Sequence, residues 1–214
     1  MAGGKGTGTN MKPILLTAAG NPENQDRGLV LDLDSRLVLC VTDGAGGRSG
    51  GAEAATMAVD FIRKQAATLE NESSCMEALS RLDAAMEDDP LAGETTCALA
   101  LVEPNGICGA SVGDSGVWLI LENGEHVNLT QSQQRKPFIG SSMAIPVPFR
   151  HPFSSGWLLL ATDGLLKYTS PERIVESCRQ DSAETAASKL IELVRYPSGA
   201  LPDDVTVILV KLSL

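Results

Sequence analysis

Apolar and polar positions follow one another along the chain in two patterns, short runs and helical spacing. Apolar or alternating runs bounded by turn residues predict strands at 13–18, 28–33, 36–42, 95–102, 107–113, 116–121, 126–129, 147–152, 157–162 and 205–212. Apolar residues at helical spacing predict helices at 52–67, 74–86 and 181–196, and Ser170-Pro171 marks the start of another. Strands and helices are grouped in blocks rather than alternating, which indicates an α+β fold with antiparallel sheets and covering helices.

The chain shows no internal repeat and no linker long enough to separate two domains. We therefore expect a single domain over residues 11–214. Residues 1–10 are rich in glycine and contain no apolar stretch, so they are expected to be a flexible tail rather than a secretory signal.

Composition excludes several classes of protein. The net charge of −10 disfavours nucleic acid as a partner, because phosphate backbones are bound by clustered lysine and arginine. No apolar run approaches the roughly 18 residues of a membrane span. The five cysteines are scattered without a CxxC pair, which favours reduced thiols in a cytoplasmic protein over a zinc site or disulfides.

Aspartates stand at the ends of several predicted strands: Asp26, Asp43, Asp114, Asp163 and Asp203. Two of them follow long apolar runs and directly precede a glycine. For each of these taken alone, an ordinary turn is the more frequent explanation. Carboxylates that meet at one end of a sheet would repel each other unless a cation is bound, and oxygen-only clusters suit Mg²⁺ or Mn²⁺. The pattern alone therefore favours, without establishing, a protein that binds divalent metal ions.

Six short motifs occur in order along nearly the whole chain: NQD (24–26), VTDGAGG (41–47), GETT (93–96), ASVGDS (110–115), LLLATDG (158–164) and PDDVTV (202–207). Together they resemble the metal-dependent type 2C family of serine/threonine phosphatases, in its compact bacterial form. The resemblance implies a sandwich of two antiparallel sheets flanked by helices, and here the mobile flap, between residues 129 and 157, is short. It also implies hydrolysis of phosphoserine and phosphothreonine on proteins by a water that bridges two Mn²⁺ or Mg²⁺ ions.

By position, the resemblance also implies roles for individual residues. The implied ligands of the two ions are Asp43, the carbonyl of Gly44, Asp163 and Asp203, with Asp43 bridging both ions. Asp26 would hydrogen-bond a metal-bound water, and Asp114 could help to hold a third, looser ion. The implied partners are phosphoproteins of a bacterial kinase pathway, and we expect a monomer.

The chain departs from the family pattern at positions near these motifs. Asn21 stands where the family carries an arginine that grips the substrate phosphate, and neutral Gln25 replaces an acidic residue. Lys167 stands where a further aspartate is frequent, which predicts weak binding of a third ion. Arg48, or secondly Arg27, is the candidate to replace the lost phosphate contact. These departures keep a second interpretation open, a pseudophosphatase that binds phosphoproteins or partners without turnover.

Overall fold

The computed structural model describes residues 11–33, 35–45, 50–87, 93–152, 154–179 and 182–213. The predicted tail, residues 1–10, and the candidate phosphate ligand Arg48 lie outside the described residues. Within the described ranges, the strands form two five-stranded sheets in which every neighbouring pair is antiparallel.

The first sheet joins strands from both ends of the chain. It has the order β1-β10-β9-β6-β7, with β1 Ile14–Ala18, β10 Val205–Leu212, β9 Gly156–Ala161, β6 Gly116–Leu121 and β7 His126–Asn128. The second sheet has the order β2-β3-β4-β5-β8, with β2 Asp26–Asp32, β3 Leu37–Asp43, β4 Cys97–Glu103, β5 Gly106–Val112 and β8 Val147–Pro152.

The helices are α1 Gly51–Gln65, α2 Glu72–Glu87, α3 Asp163–Leu166, α4 Pro171–Cys178 and α5 Ala183–Glu192. Helices α1 and α2 pack on the second sheet, and α4 and α5 pack on the first. Among the helices of the described ranges, none combines the length and the apolar character that crossing a bilayer requires.

Each sheet is buried on both faces, which explains the continuous apolar runs of its central strands. In β3, Leu37, Leu39 and Val41 point into the core between the two sheets, whereas Val38 and Cys40 point into the core beneath the helices. Successive side chains of a strand face opposite sides, so a strand covered on both sides needs apolar residues at nearly every position. The predicted α+β sandwich of two antiparallel sheets flanked by helices is confirmed.

The structure differs from the predicted elements near the strand ends. The strand predicted at 95–102 begins only at Cys97, because Thr95 forms isolated bridges with Gly44 and Ile139 instead. The strand predicted at 28–33 begins earlier, at Asp26, which pairs with Asp43. The short helix α3 was not predicted, because four residues are too few to show helical periodicity.

Candidate active site

The ends of strands from both sheets meet at one cleft of about 440 Å³. Asp43 ends β3, Asp163 follows β9 as the first residue of α3, and Asp203 precedes β10. Asp114 lies in the turn between β5 and β6. All four carboxylates line this cleft, so the structure brings together four of the five aspartates that the sequence singled out.

The glycines that follow Asp43 and Asp163 are required by close backbone packing. A Cβ atom on Gly44 would stand 2.0 Å from the carbonyl oxygen of Gly51, and one on Gly164 would stand 1.9 Å from the carbonyl oxygen of Asp204. Gly164 lies inside a helix, and Gly44 lies in a β-bridge. The Asp-Gly pairs therefore do not mark simple turns, since each glycine lets the backbone carrying the aspartate approach a neighbouring segment closely.

Asp43 is fixed by hydrogen bonds from its own backbone. Its N–H donates to Oγ1 of Thr96 over 3.0 Å, and its carbonyl accepts from the N–H of Thr96 at 2.8 Å and from Oγ1 of Thr95 at 2.9 Å. The hydroxyl of Thr96 also lies 2.6 Å from that of Ser115, beside Asp114. These contacts hold the end of β3 in place and so direct the Asp43 carboxylate into the cleft.

Asp26 lies beneath the cleft and is 2% exposed. Its Oδ2 accepts a hydrogen bond from Oγ1 of Thr162 at 2.7 Å, whereas its buried Oδ1 has no hydrogen-bond partner in the part of the chain that the structure describes. Burial raises the pKa of Asp26 to about 7, against the opposing effect of the Thr162 hydrogen bond. A buried carboxylate oxygen without a donor is costly, so this atom has a free acceptor position to offer to a water or another donor.

The aspartates also perturb one another. Burial raises the pKa of Asp43 to about 9, and repulsion from Asp26 and Asp163 adds to the effect. Burial likewise raises the pKa of Asp163, followed by repulsion from Asp114 and Asp203. Without a cation, these carboxylates resist ionisation. A bound cation would stabilise their charged form.

Asp203 and Asp204, adjacent in sequence, have different surroundings. Asp204 is 4% exposed and accepts three backbone N–H groups, from Gly20 at 2.8 Å, Asn21 at 3.0 Å and Gln25 at 2.9 Å. Asp203 accepts at its Oδ1 from Nδ2 of Asn21 at 3.1 Å and from the N–H of Asp204 at 3.0 Å, and its Oδ2 has no hydrogen bond from the residues that the structure describes. Both aspartates line the cleft, but Asp204 also anchors the loop before β2.

The chemistry of this donor set fits hard divalent cations. The cleft offers carboxylate and carbonyl oxygens and no cysteine or histidine among its described lining residues. In the ranges that the structure describes, no group of three or more His, Cys, Asp or Glu side chains forms a ready-made metal site. Carboxylates that repel one another approach closely only when a cation lies between them. The spacing of the aspartates in this cleft is therefore compatible with a metal site that forms when the ions bind.

Three basic residues of the described ranges line the same cleft, and two of them contact its aspartates. The Nε of Arg135 lies 2.6 Å from Oδ2 of Asp114, and Nζ of Lys167 lies 4.0 Å from Oδ2 of Asp163. Lys136 is the third. Lys167 thus lies next to one of the aspartates that the sequence predicted as metal ligands.

Neither of the two arginines proposed from the sequence as phosphate ligands is observed at the cleft. The guanidinium of Arg27 donates to the carbonyls of Asn24 and Asp26, both at 2.7 Å, and to Oγ1 of Thr56 at 3.0 Å. Arg27 does not line the cleft, and Arg48 falls outside the described residues.

Sequence reasoning missed Asp204 as an anchor, Asn21 as a hydrogen-bond donor to Asp203, and Arg135 as a cleft residue. The Asp-Asp pair was visible as a motif, but only the fold shows that Asp204 accepts three backbone N–H groups from the loop before β2. Arg135 lies in a polar loop without any pattern that marks its role.

Comparisons with solved structures show the same fold. The serine/threonine phosphatase Stp1 from Staphylococcus aureus matches with a TM-score of 0.81 and 18% identity, over 100% of both chains. The serine/threonine phosphatase of S. agalactiae matches with a TM-score of 0.80 and 23% identity, over 95% of this chain and 100% of that one. The Mycobacterium tuberculosis serine/threonine phosphatase PstP/Ppp matches with a TM-score of 0.76 and 21% identity, over 95% and 99%.

These identities are too low to establish more than the fold, and no curated protein sequence is significantly similar to the chain. The family model for protein phosphatase 2C, however, matches residues 18–190, most of the chain's length. The match includes Asp26, Asp43, Asp114 and Asp163 and ends before Asp203. It confirms the resemblance and the class of metal-dependent protein phosphatase expected from the motifs: this chain belongs to the protein phosphatase 2C family.

Proposed function

We propose that this protein hydrolyses phosphoserine and phosphothreonine on proteins by attack of a water activated between two divalent cations. The observation that carries the proposal is the convergence of Asp43, Asp163 and Asp203 on one cleft. Two Mn²⁺ or Mg²⁺ ions bound there would supply a nucleophilic water near neutral pH and offset charge on the phosphoryl oxygens.

The roles of the residues follow from their positions. Asp43, central among the repelling carboxylates, would be shared by both ions, and the carbonyl of Gly44 would add a ligand to one of them. Asp163 and Asp203 would complete the shell of the other ion. The partnerless Oδ1 of Asp26 would accept a hydrogen bond from the reacting water and orient it.

The biological setting is part of the same proposal. The similar structures from S. aureus and M. tuberculosis are serine/threonine phosphatases, which supports phosphoproteins of a bacterial kinase pathway as substrates. All five cysteines are buried free thiols, which supports action in the cytoplasm. We propose a monomer, with residues 11–214 forming the catalytic domain.

The test is hydrolysis of p-nitrophenyl phosphate and of a phosphothreonine peptide with and without Mn²⁺. Turnover should require the ion, and Asp43→Asn and Asp163→Asn should each abolish it. Asp60→Asn is the matched control, because Asp60 is an exposed aspartate on α1 away from the cleft. Metal-independent turnover, or full activity of either cleft variant, would refute the proposed mechanism.

A pseudophosphatase is the second candidate, because residues of the cleft depart from the charges of the family pattern. Asn21 and Gln25 line the cleft where the family carries charged residues, and Lys167 stands close to Asp163. A folded protein that binds Mn²⁺ and phosphopeptide by calorimetry without any turnover would establish this alternative.

A further inference from the structure

Arg135 reaches the candidate active site from the loop between β7 and β8, the shortened flap. Its Nε contacts Asp114, and its side chain is 68% exposed. A guanidinium carries five N–H donors. Within the described ranges, the bond to Asp114 is the one hydrogen bond that the Arg135 side chain makes, so most of its donors face the cleft solvent.

The loop that carries Arg135 is anchored on both sides. Before it, Nε2 of Gln133 donates to the carbonyl of Ser115 over 2.8 Å. After it, Ile139 and Thr95 exchange two backbone hydrogen bonds of 3.0 Å each. Both hydrogen-bonded anchors attach to segments that line the cleft. They limit the positions that the loop can adopt and so keep the Arg135 guanidinium near the aspartates.

The charge of the cleft shows why basic residues are needed there. Among the residues that the structure describes, six carboxylates and three basic side chains line it, a formal balance of −3. Two divalent cations change this balance to +1, which attracts a phosphate dianion. Without the three basic residues the loaded cleft would stay at −2 and repel the substrate.

Arg135 and Lys167 line the same cleft, Arg135 in contact with Asp114 and Lys167 at 4.0 Å from Asp163. Two cations held near each other over a cleft are stabilised by an anion between them. A guanidinium is also suited to two parallel hydrogen bonds with phosphate oxygens, which an ammonium group cannot provide.

Asn21, at the position of the family's phosphate-binding arginine, is engaged elsewhere. Its backbone N–H donates to Asp204 and its side chain to Asp203. We propose that Arg135, with Lys167 beside it, binds the substrate phosphate in this chain and so replaces the contact that Asn21 cannot make. The inference rests on the proposed phosphatase function of this cleft.

The experiment measures binding of inorganic phosphate to the Mn²⁺-loaded full chain by calorimetry, together with its inhibition of p-nitrophenyl phosphate hydrolysis. Arg135→Ala should weaken phosphate binding and raise KM by about 10- to 100-fold, the range of one or two charge-assisted hydrogen bonds, with a smaller change in kcat. Arg135→Lys keeps the positive charge but lacks the two parallel N–H donors of the guanidinium, so it should recover part of the lost phosphate affinity. Arg179→Ala is the matched control, since Arg179 is an exposed arginine paired with Glu176 on another surface.

Unchanged phosphate affinity in a folded Arg135→Ala protein would overturn the inference, as would an equal loss in Arg179→Ala or no measurable phosphate binding to the unmodified chain. Thermal melting of each variant separates a binding defect from misfolding. If the unmodified chain binds phosphate through Arg135 but shows no Mn²⁺-dependent turnover, the proposed function fails while the binding role stands. If Mn²⁺-dependent turnover occurs but phosphate affinity does not depend on Arg135, the binding role fails while the proposed function stands.

Discussion

The adjacent aspartates Asp203 and Asp204 offer a sharp test, because the structure gives them opposite tasks. Asp204→Asn should lower stability while leaving turnover by the folded fraction, and Asp203→Asn should abolish turnover while leaving stability. The two substitutions are chemically identical and one residue apart. A difference between them therefore reports the surroundings of each carboxylate.

The magnitude for Asp204 follows from its hydrogen bonds. Its Oδ1 accepts from Gly20 and Asn21 and its Oδ2 accepts from Gln25, so an asparagine can keep the first pair but places an N–H₂ against the third donor. Losing one charge-assisted hydrogen bond costs about 1.5–3 kcal/mol. Relief of the repulsion that Asp204 exerts on Asp26 offsets part of this, leaving about 2 kcal/mol. For a chain of this size, that corresponds to a fall in Tm of about 4–8 °C.

Asp203 can lose its charge without losing its hydrogen bonds. Both donors, Nδ2 of Asn21 and the N–H of Asp204, bind the same oxygen, which an asparagine retains. Its amide nitrogen would then face the cleft, where an N–H₂ group cannot ligate a cation. Stability should therefore change by less than about 1 kcal/mol, whereas Mn²⁺ affinity and turnover should collapse.

The assays are thermal melting with Mn²⁺ and with chelator, calorimetric titration with Mn²⁺, and initial rates on p-nitrophenyl phosphate. Equal Tm values for Asp204→Asn and the unmodified chain would contradict the anchoring role. A loss of stability in Asp203→Asn as large as that in Asp204→Asn would contradict the division of tasks.

Three further predictions follow from the same contacts. In chelator, stability should fall as pH rises from 6 to 8. The raised pKa values of Asp43 (about 9) and Asp26 (about 7) make the folded chain hold protons that the unfolded chain has already released, so each rise in pH favours the unfolded chain. Urea melts with saturating Mn²⁺ should not show this fall, and a chelator profile that rises with pH would contradict the burial of these carboxylates. Calorimetry should detect two Mn²⁺ ions and no third of comparable affinity, because Arg135 already neutralises Asp114, and three well-occupied sites would reject this. Asp83→Ala should destabilise the protein by about 3 kcal/mol or more, since this buried carboxylate accepts the backbone N–H groups of Gly140, Ser142 and Ala144, and an unchanged denaturant midpoint would refute it.

The sequence predicted the architecture and the acidic residues of the site for a physical reason. Strands buried on both faces produce continuous apolar runs, and the residues just beyond such runs must lie at an edge of the sheet. Asp43 and Asp163 could therefore be assigned to strand ends, although only the family motifs indicated that both edges meet. The pattern of apolar and polar positions could not show contacts between segments distant in sequence, such as those of Asn21 with Asp203 and of Arg135 with Asp114. Arg27 shows that residue type and position near a motif can also mislead, because its guanidinium donates to backbone carbonyls and does not line the cleft.

The departures from the family pattern are coupled to the residues that remain. Asn21 donates to Asp203, and Lys167 stands over Asp163. Arg135, the proposed replacement for the lost phosphate contact, neutralises Asp114. Substitutions accumulating in a site without function would have no reason to fall on partners of the retained aspartates or to keep the cleft balanced for two divalent cations and a dianion. Because Asp43, Asp163 and Asp203 are retained and basic side chains stand among them, the arrangement favours a phosphatase that holds its substrate through a different set of residues over a scaffold that has lost its chemistry.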